Sequence, residues 1–215
     1  MKRDGGEILT SAVSSDGQLL CIATTDGLAM YDVVGQVRDR FASLSNDIIM
    51  QVQPLEGLFI PVNKHGRQSK ENLAILQDKI ASGYGIIIFP SGLVSRRHDG
   101  AIGDLAWKKT AITIARKNQI PLVPLFIEGR LSERFYKTYT WRKRLGIKAN
   151  IEMILLPDEM YRLRGTRVTL HLGPPLQPES LSNGEGDAAW TKRVRSLVYS
   201  LDPAKPATNP HADSH

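Results

Sequence analysis

The sequence is short of cysteine and of long apolar runs, and each shortage removes a class of protein. A single cysteine, Cys21, has no partner inside the chain, which excludes an internal disulfide and a cysteine-based zinc cluster and suits a reducing compartment. No apolar run reaches the length of about 18 residues that crosses a bilayer. The opening MKRDGGEILTSAVSSDGQ starts basic but lacks the apolar centre of a signal peptide. These signs predict a cytoplasmic chain, neither secreted nor transmembrane. Internal repeats are also missing. Ile22 to Asp32 resembles one strand pair of a propeller blade, but a propeller needs that pattern to recur about every 40 residues.

What is present fits one folded unit. The chain has 215 residues, 41% of them hydrophobic and 23% charged, an ordinary composition for a single domain with its own core. The domain is predicted over residues 19–201, after a polar segment 1–18 and before the tail 202–215, DPAKPATNPHADSH, whose prolines and polarity predict disorder. The net charge of +6 has a location. Between Arg130 and Lys148 stand seven cations against one carboxylate, Glu133, so that stretch holds a surplus equal to the whole chain's. Phe135, Tyr136, Tyr139 and Trp141 are interleaved there, a mixture that suits a membrane surface with anionic headgroups. The same stretch also fits a solvated helix, or a nucleic-acid binder with steep salt dependence.

Apolar patterning alternates between strand and helix. Leu19–Ala23, Leu58–Val62, Gly85–Pro90 and Pro121–Glu128 read as buried strands. Between them, Met30, Val33, Val34, Val37 and Phe41 share one helical face after a possible cap at Asp26. Leu73, Leu76 and Ile80 share another after Ser69, with Gly83 past its end. Asp104 is placed to open a third helix with Trp107, Ala111, Ile114 and Ala115 inward. Ile151–Leu156 and Arg167–Leu172 read as later strands. Trp190, Val194, Leu197, Val198 and Leu201 mark a closing helix. The fold class is therefore α/β, a single layered domain with a largely parallel central sheet flanked by helices, whose ligands bind beyond the carboxyl ends of the strands. The loop Pro90–Gly103 lies at such an end.

Phe89-Pro90-Ser91-Gly92-Leu93-Val94-Ser95-Arg96-Arg97 resembles the Phe-Pro-Glu-Gly-Thr-Arg-Ser block of the glycerolipid acyltransferases, the lysophosphatidic acid acyltransferase family. Upstream, Gly57 to Asn63 is similar to its Gly-x-x-Phe-Ile-x-Arg block. Downstream, Ile120 to Pro124 is similar to its Val-Pro-Val-x-Pro block. The variant ending in Ser-Arg-Arg is closest to the bacterial hemolysin-like or ornithine-lipid branch. The resemblance implies an O-acyltransferase of membrane lipid synthesis, peripheral to the inner face of the membrane. Acyl carrier protein or coenzyme A would be the acyl donor, with no bound cofactor and no metal. A lysophospholipid or an N-acyl amino acid would be the acceptor, and no nucleic acid would be a partner. It also implies Asp26 as the catalytic aspartate and Ser91, Gly92, Ser95, Arg96 and Arg97, with Asn63 and Gly57, as the acceptor site. The two arginines would offer fork-shaped donors to an anionic headgroup. On this reading Arg96→Ala weakens lysolipid binding more than Arg142→Ala.

One departure concerns the chemistry. The family places a histidine shortly before its aspartate, where it takes the acceptor hydroxyl's proton. Here Asp26 is preceded by Leu19-Leu20-Cys21-Ile22-Ala23-Thr24-Thr25, and no histidine occurs before it. Three explanations stand side by side: an altered gene start, a relative that binds headgroups without turnover, or a substitute base. For the last, His98 and His65 lie beside the motif loops. Cys21 sits in an apolar strand, the setting of an inert core thiol. His171 falls in a strand, as a core or edge residue. Ser91 and Val94 replace the family's glutamate and arginine, which moves headgroup duty towards Arg96 and Arg97.

Overall fold

The computed structural model describes residues 20–23, 39–46, 59–62, 70–98, 100–162 and 169–204. Six strands form the main sheet: β1 (Leu20–Ala23), β2 (Phe41–Asn46), β3 (Phe59–Val62), β4 (Gly85–Ile88), β7 (Leu122–Ile127) and β8 (Leu170–Leu172). Their spatial order is β3-β2-β4-β1-β7-β8, parallel throughout except for β8, which runs antiparallel along β7. A separate two-stranded hairpin joins β5 (Arg96–His98) to β6 (Ala101–Gly103).

Burial on both faces explains the composition of the central strands. Gly85, Ile86, Ile87 and Ile88 are all buried, and a parallel strand covered on both sides reads as an unbroken apolar run instead of an alternating one. Helices α1 (Lys70–Ala81), α2 (Thr110–Asn118) and α6 (Asp187–Ser200) cover the sheet. Ala111, Ile112, Ile114 and Ala115 of α2 share one core with Ile86, Ile88 and Leu122 of the sheet and Trp190, Val194 and Val198 of α6. Helix α1 ends where its periodicity predicts. Gly83 follows at φ +77°, Gly83 N–H donates to Ile80 and Tyr84 N–H to Lys79, a left-handed stop that glycine adopts without a Cβ clash.

The described part of the chain between β7 and β8 contains α3 (Glu133–Arg144), a 3-10 helix (Ile151–Leu155) and α4 (Leu156–Arg162); the short α5 (Pro178–Leu181) follows β8. Helix α3 packs on hairpin strand β5 and on the 3-10 helix. Ser132 caps α3, accepting a hydrogen bond from Phe135 N–H at 3.4 Å.

Four expectations need correction. Phe41 begins β2 instead of ending a helix: it pairs with Gly85 of β4, and an apolar residue four after Val37 fits either period when the run is short. Helix α2 starts at Thr110, six residues after Asp104. The Asp104 side chain accepts from Ser95 Oγ and Trp107 Nε1, and its N–H donates to the Tyr199 oxygen, so it ties loops together and opens no helix. Ile151–Leu156 is helical, not a strand, because Glu152 points inward while Ile151 and Ile154 point out. The loop Pro90–Gly103 contains the β5–β6 hairpin. The predicted helix face from Met30 to Val37 and nearly all of the tail 202–215 lie outside the described residues.

Candidate functional site

Strand β4 delivers the chain into the turn at Phe89–Gly92, and its neighbour β1 ends alongside it, with Ile22 paired to Ile88. Ala23 closes β1 three residues before Asp26, and Val62 closes β3 one residue before Asn63. Asp26, Asn63, Gly57 and His65 themselves lie outside the described residues. The turn is tight. Gly92 has φ +66° and donates its N–H to Phe89 O at 3.0 Å; buried Ser91 donates its hydroxyl to Leu93 O at 2.6 Å. Ser95 Oγ donates to Asp104 at 2.6 Å, and Lys108 N–H donates to Pro90 O at 2.9 Å, so both ends of the loop are fastened.

The two adjacent arginines go opposite ways, as neighbours on a pleated strand must. Arg96 is fully buried. Its Nη2 lies 3.0 Å from Glu152 Oε1, its Nη1 donates to Val94 O at 2.7 Å, and its guanidinium sits 4.9 Å from the Phe135 ring and 5.4 Å from that of Tyr139. Glu152 turns its other oxygen to Arg142 Nε at 2.9 Å. The Arg96 Nη2 also donates to Met153 Sδ at 3.3 Å, whereas the two Glu152 oxygens and Arg142 Nε have no well-aligned hydrogen bond, so the carboxylate holds the two guanidinium groups largely by charge. Burial pulls the Arg96 guanidinium below its ordinary value, and Glu152 pushes it partly back. Arg97 instead reaches the surface, where Nη2 donates to Glu133 at 2.7 Å and the guanidinium lies over Tyr136. That bond pushes Arg97 up and holds Glu133 below the usual carboxylate range.

Beside the hairpin, past the carboxyl end of β7, opens a cleft of about 520 Å³. Ser95, Phe126, Glu128, Arg130, Tyr136 and Tyr199 are among the side chains that line it, with backbone at Gly100, Gly103 and Gly129. It offers an apolar floor, one cation, two phenols and the carboxylates of Glu128 and Asp202, a mixed lining that receives an amphipathic ligand.

Residues 18–205 match the family model described as acyltransferase. The chain belongs to the acyltransferase family. Two relatives, each named lyso-glycine lipid O-acyltransferase, come from Phocaeicola vulgatus and Bacteroides thetaiotaomicron. They are 39% and 37% identical over 177 residues, which is 82% of this chain but 63% and 65% of theirs. The chain therefore spans a little under two thirds of the relatives it matches. The fold is similar to the crystal structure of the 1-acyl-sn-glycerophosphate acyltransferase PlsC from Thermotoga maritima. The TM-score is 0.52 at 18% identity, covering 90% of this chain and 70% of that one.

Within this acyltransferase fold, the histidines fall in different places. His98 is exposed, its Nε2 3.3 Å from the Tyr139 hydroxyl and its ring edge-on to that of Tyr139. His171 donates to a carboxylate: its Nε2 lies 2.6 Å from Glu128 Oε1. Glu128 lines the cleft, and β8 brings His171 beside Glu128, behind the lining residues, by pairing it with Phe126. Sequence reading did not find this pair, since the two residues are 43 apart and neither stands in a motif. Glu152 was missed too, although a lone carboxylate inside Ile151-Glu152-Met153-Ile154 was a visible sign of a buried partner.

Proposed function

We propose that the chain carries the catalytic domain of a lysolipid O-acyltransferase. A fatty acyl thioester of acyl carrier protein or coenzyme A donates its acyl group to the free hydroxyl of a lysolipid. The hydroxyl oxygen attacks the thioester carbonyl carbon, the carbon–sulfur bond breaks, and the thiolate leaves with the proton the hydroxyl gave up. The observation that carries this reading is the cleft at the carboxyl end of β7, with Arg130 and three glycine backbones on its wall, in a chain of the acyltransferase family. The acceptor's anionic headgroup, a carboxylate or a phosphate, sits against Arg130. The relatives' name points to an N-acylated glycine, whose headgroup is a carboxylate. The protein works at the inner face of the membrane as a peripheral enzyme of membrane lipid synthesis.

The acceptor site combines the fastened Ser91–Gly92 turn, Ser95, Arg97 and Arg130; Asn63 and Gly57 are assigned to it by the resemblance of the upstream block alone. Arg96 is inside the protein and acts by holding the loop. Asp26 stands beyond β1 as the motif aspartate, without the family's histidine before it. The hydroxyl's proton passes to the Glu128–His171 pair, where the carboxylate orients the imidazole as a base requires. His98 and His65 are the competing bases.

The test is transfer of a labelled acyl group from acyl carrier protein or coenzyme A to a panel of lysophospholipids and N-acyl amino acids. Wild type is compared with Arg130→Ala, His171→Ala and, as a control on the exposed side of α6, Arg193→Ala. Transfer lost at least tenfold in the first two and kept in the third supports the assignment; equal loss in all three refutes it. A second reading follows from the missing histidine: a relative that holds lysolipid without turnover. Binding of labelled lysolipid with no product, unchanged by His171→Ala, identifies it.

A further inference from the structure

Away from the cleft, the chain turns its large apolar side chains to water along one short stretch. Ten large hydrophobics are exposed among the described residues, and six of them, Trp141, Leu145, Ile147, Ile151, Ile154 and Tyr161, fall between 141 and 161. Their exposure reaches 66% for Trp141, 68% for Leu145 and 78% for Ile154. A concentration of that kind marks an interaction surface. Between Trp141 and Ile151 it forms a groove of about 580 Å³ with Arg134 and Lys137 on its rim.

Cations outnumber carboxylates around this face: Glu133 at the start of α3 is paired with Arg97, and Asp158 on α4 with Arg134 and Arg162. Lys137, Lys143, Arg144 and Lys148 are all exposed beside it. From Arg134 to Pro157 the sequence holds one carboxylate, Glu152, and it is fully buried against Arg96 and Arg142. Between the paired carboxylates at its two ends, Glu133 and Asp158, the outer face carries Lys137, Lys143, Arg144 and Lys148 around an apolar crest. A protein partner would need a matching acidic rim around an apolar socket. An anionic leaflet supplies both halves at once, since headgroups attract each nearby cation by about 1 kcal/mol and acyl chains receive the crest.

We propose that α3, the 3-10 helix and α4 form the surface by which this chain docks on an anionic bilayer, with Trp141, Leu145, Ile151 and Ile154 entering the headgroup layer. The inference deepens the lysolipid reading and rests on it for the acceptor's source. The geometry links the two: the buried side of α3 contributes Tyr136 to the cleft wall, and Arg142 and Glu152 hold Arg96 behind the cleft loop. The helix that touches the leaflet is thus also a wall of the site that receives lipid.

The experiment is binding of the full chain to vesicles of neutral phosphatidylcholine, with and without about one third phosphatidylglycerol, at low salt and at about 0.5 M salt. The expected result is sedimentation with anionic vesicles, at least tenfold weaker with neutral ones or at high salt. A blue shift of tryptophan emission should disappear in Trp141→Phe. Leu145→Glu and Ile154→Glu should each weaken binding at least tenfold with unchanged circular dichroism, while Leu73→Glu, at an exposed apolar position on α1, should not. Equal binding to both vesicle types overturns the proposal. So does insensitivity to Leu145→Glu, or a dimer in solution that Leu145→Glu dissociates, which would assign the face to a second copy. Transfer to detergent-dispersed lysolipid without vesicle binding refutes docking and leaves the reaction standing. Vesicle binding without transfer does the reverse.

Discussion

Replacing Glu152 with glutamine keeps the side chain's shape and removes its charge, in a place where two cations depend on it. Arg96 and Glu152 are fully buried, and Arg142 nearly so. Each guanidinium approaches one carboxylate oxygen, at 3.0 and 2.9 Å. Without the carboxylate, two buried cations that already repel each other lose their shared counter-charge. Deleting one partner of a buried ion pair costs about 3–5 kcal/mol. Some compensation remains: Val94 O at 2.7 Å from Arg96, the carbonyls of Ile147, Lys148 and Ala149 within 3.3 Å of Arg142, and the flanking rings of Phe135 and Tyr139. These place the expected loss near the lower end, about 3 kcal/mol. At about 2–4 °C per kcal/mol for a domain of this size, Tm falls by about 6–12 °C. Urea and thermal unfolding followed by circular dichroism measure it, with Glu179→Gln, at an exposed position of α5, as control. A loss under about 1 kcal/mol, the range of exposed pairs, refutes the account of a dry triad. A triple change, Arg96→Met with Glu152→Leu and Arg142→Met, should recover most of the stability, because no unpaired charge is then left inside.

Three further outcomes follow from the same geometry. Gly92→Ala forces a Cβ into the left-handed region at φ +66° and should lower stability by about 1–2 kcal/mol while weakening lysolipid binding; an unchanged urea midpoint argues against the turn. Asp187 is held below its usual range, first by the Thr113 hydroxyl and then by Arg116. Its contribution is therefore present above the unfolded carboxylate's pKa and lost as pH falls through the lower folded value, so Asp187→Asn should cost about 1–2 kcal/mol at pH 7. Little of that difference should remain in urea titrations at the lowest pH the fold tolerates. Tyr199→Phe deprives the Asp104 N–H of its acceptor at 2.8 Å and should cost about 1–3 kcal/mol, measured by the same titration.

The parts of the fold that could be read in the sequence are those where one local signal agreed with burial. Ile86–Ile88 and Leu122–Ile127 are continuous apolar runs because parallel strands are covered on both faces, and Gly83 stops α1 for a local backbone reason. Strand β2 was hidden because Phe41 fits a helical spacing, and its pairing with Gly85 is a long-range fact. The hairpin was hidden because three-residue strands such as Arg96–His98 carry no detectable period. Ile151–Leu155 misled because its apolar side chains face outward, reversing the assumption on which the pattern rests.

The site divides along the same line. Its loop was legible as a motif, but adjacent arginines on a strand must point apart, and nothing local decides which of the two goes in. The decision is made by Glu152, 56 residues further on, in a segment whose apolar pattern suggested another structure. Once Arg96 is inside, comparing Arg96→Ala with Arg142→Ala no longer separates headgroup binding from folding, since both side chains serve the same carboxylate. On the proposed reading, the cations left to meet an acceptor are Arg130 on the cleft wall and Arg97 at the surface. The base follows the same logic. His98 stood next to the motif and is turned to Tyr139, whereas His171, with no motif around it, is carried by the antiparallel register of β8 to a carboxylate on the cleft wall. Proximity in sequence favoured His98, and strand pairing favours His171. Because both are single side chains on short strands of the same protein, His98→Ala beside His171→Ala in one transfer assay sets the two criteria directly against each other.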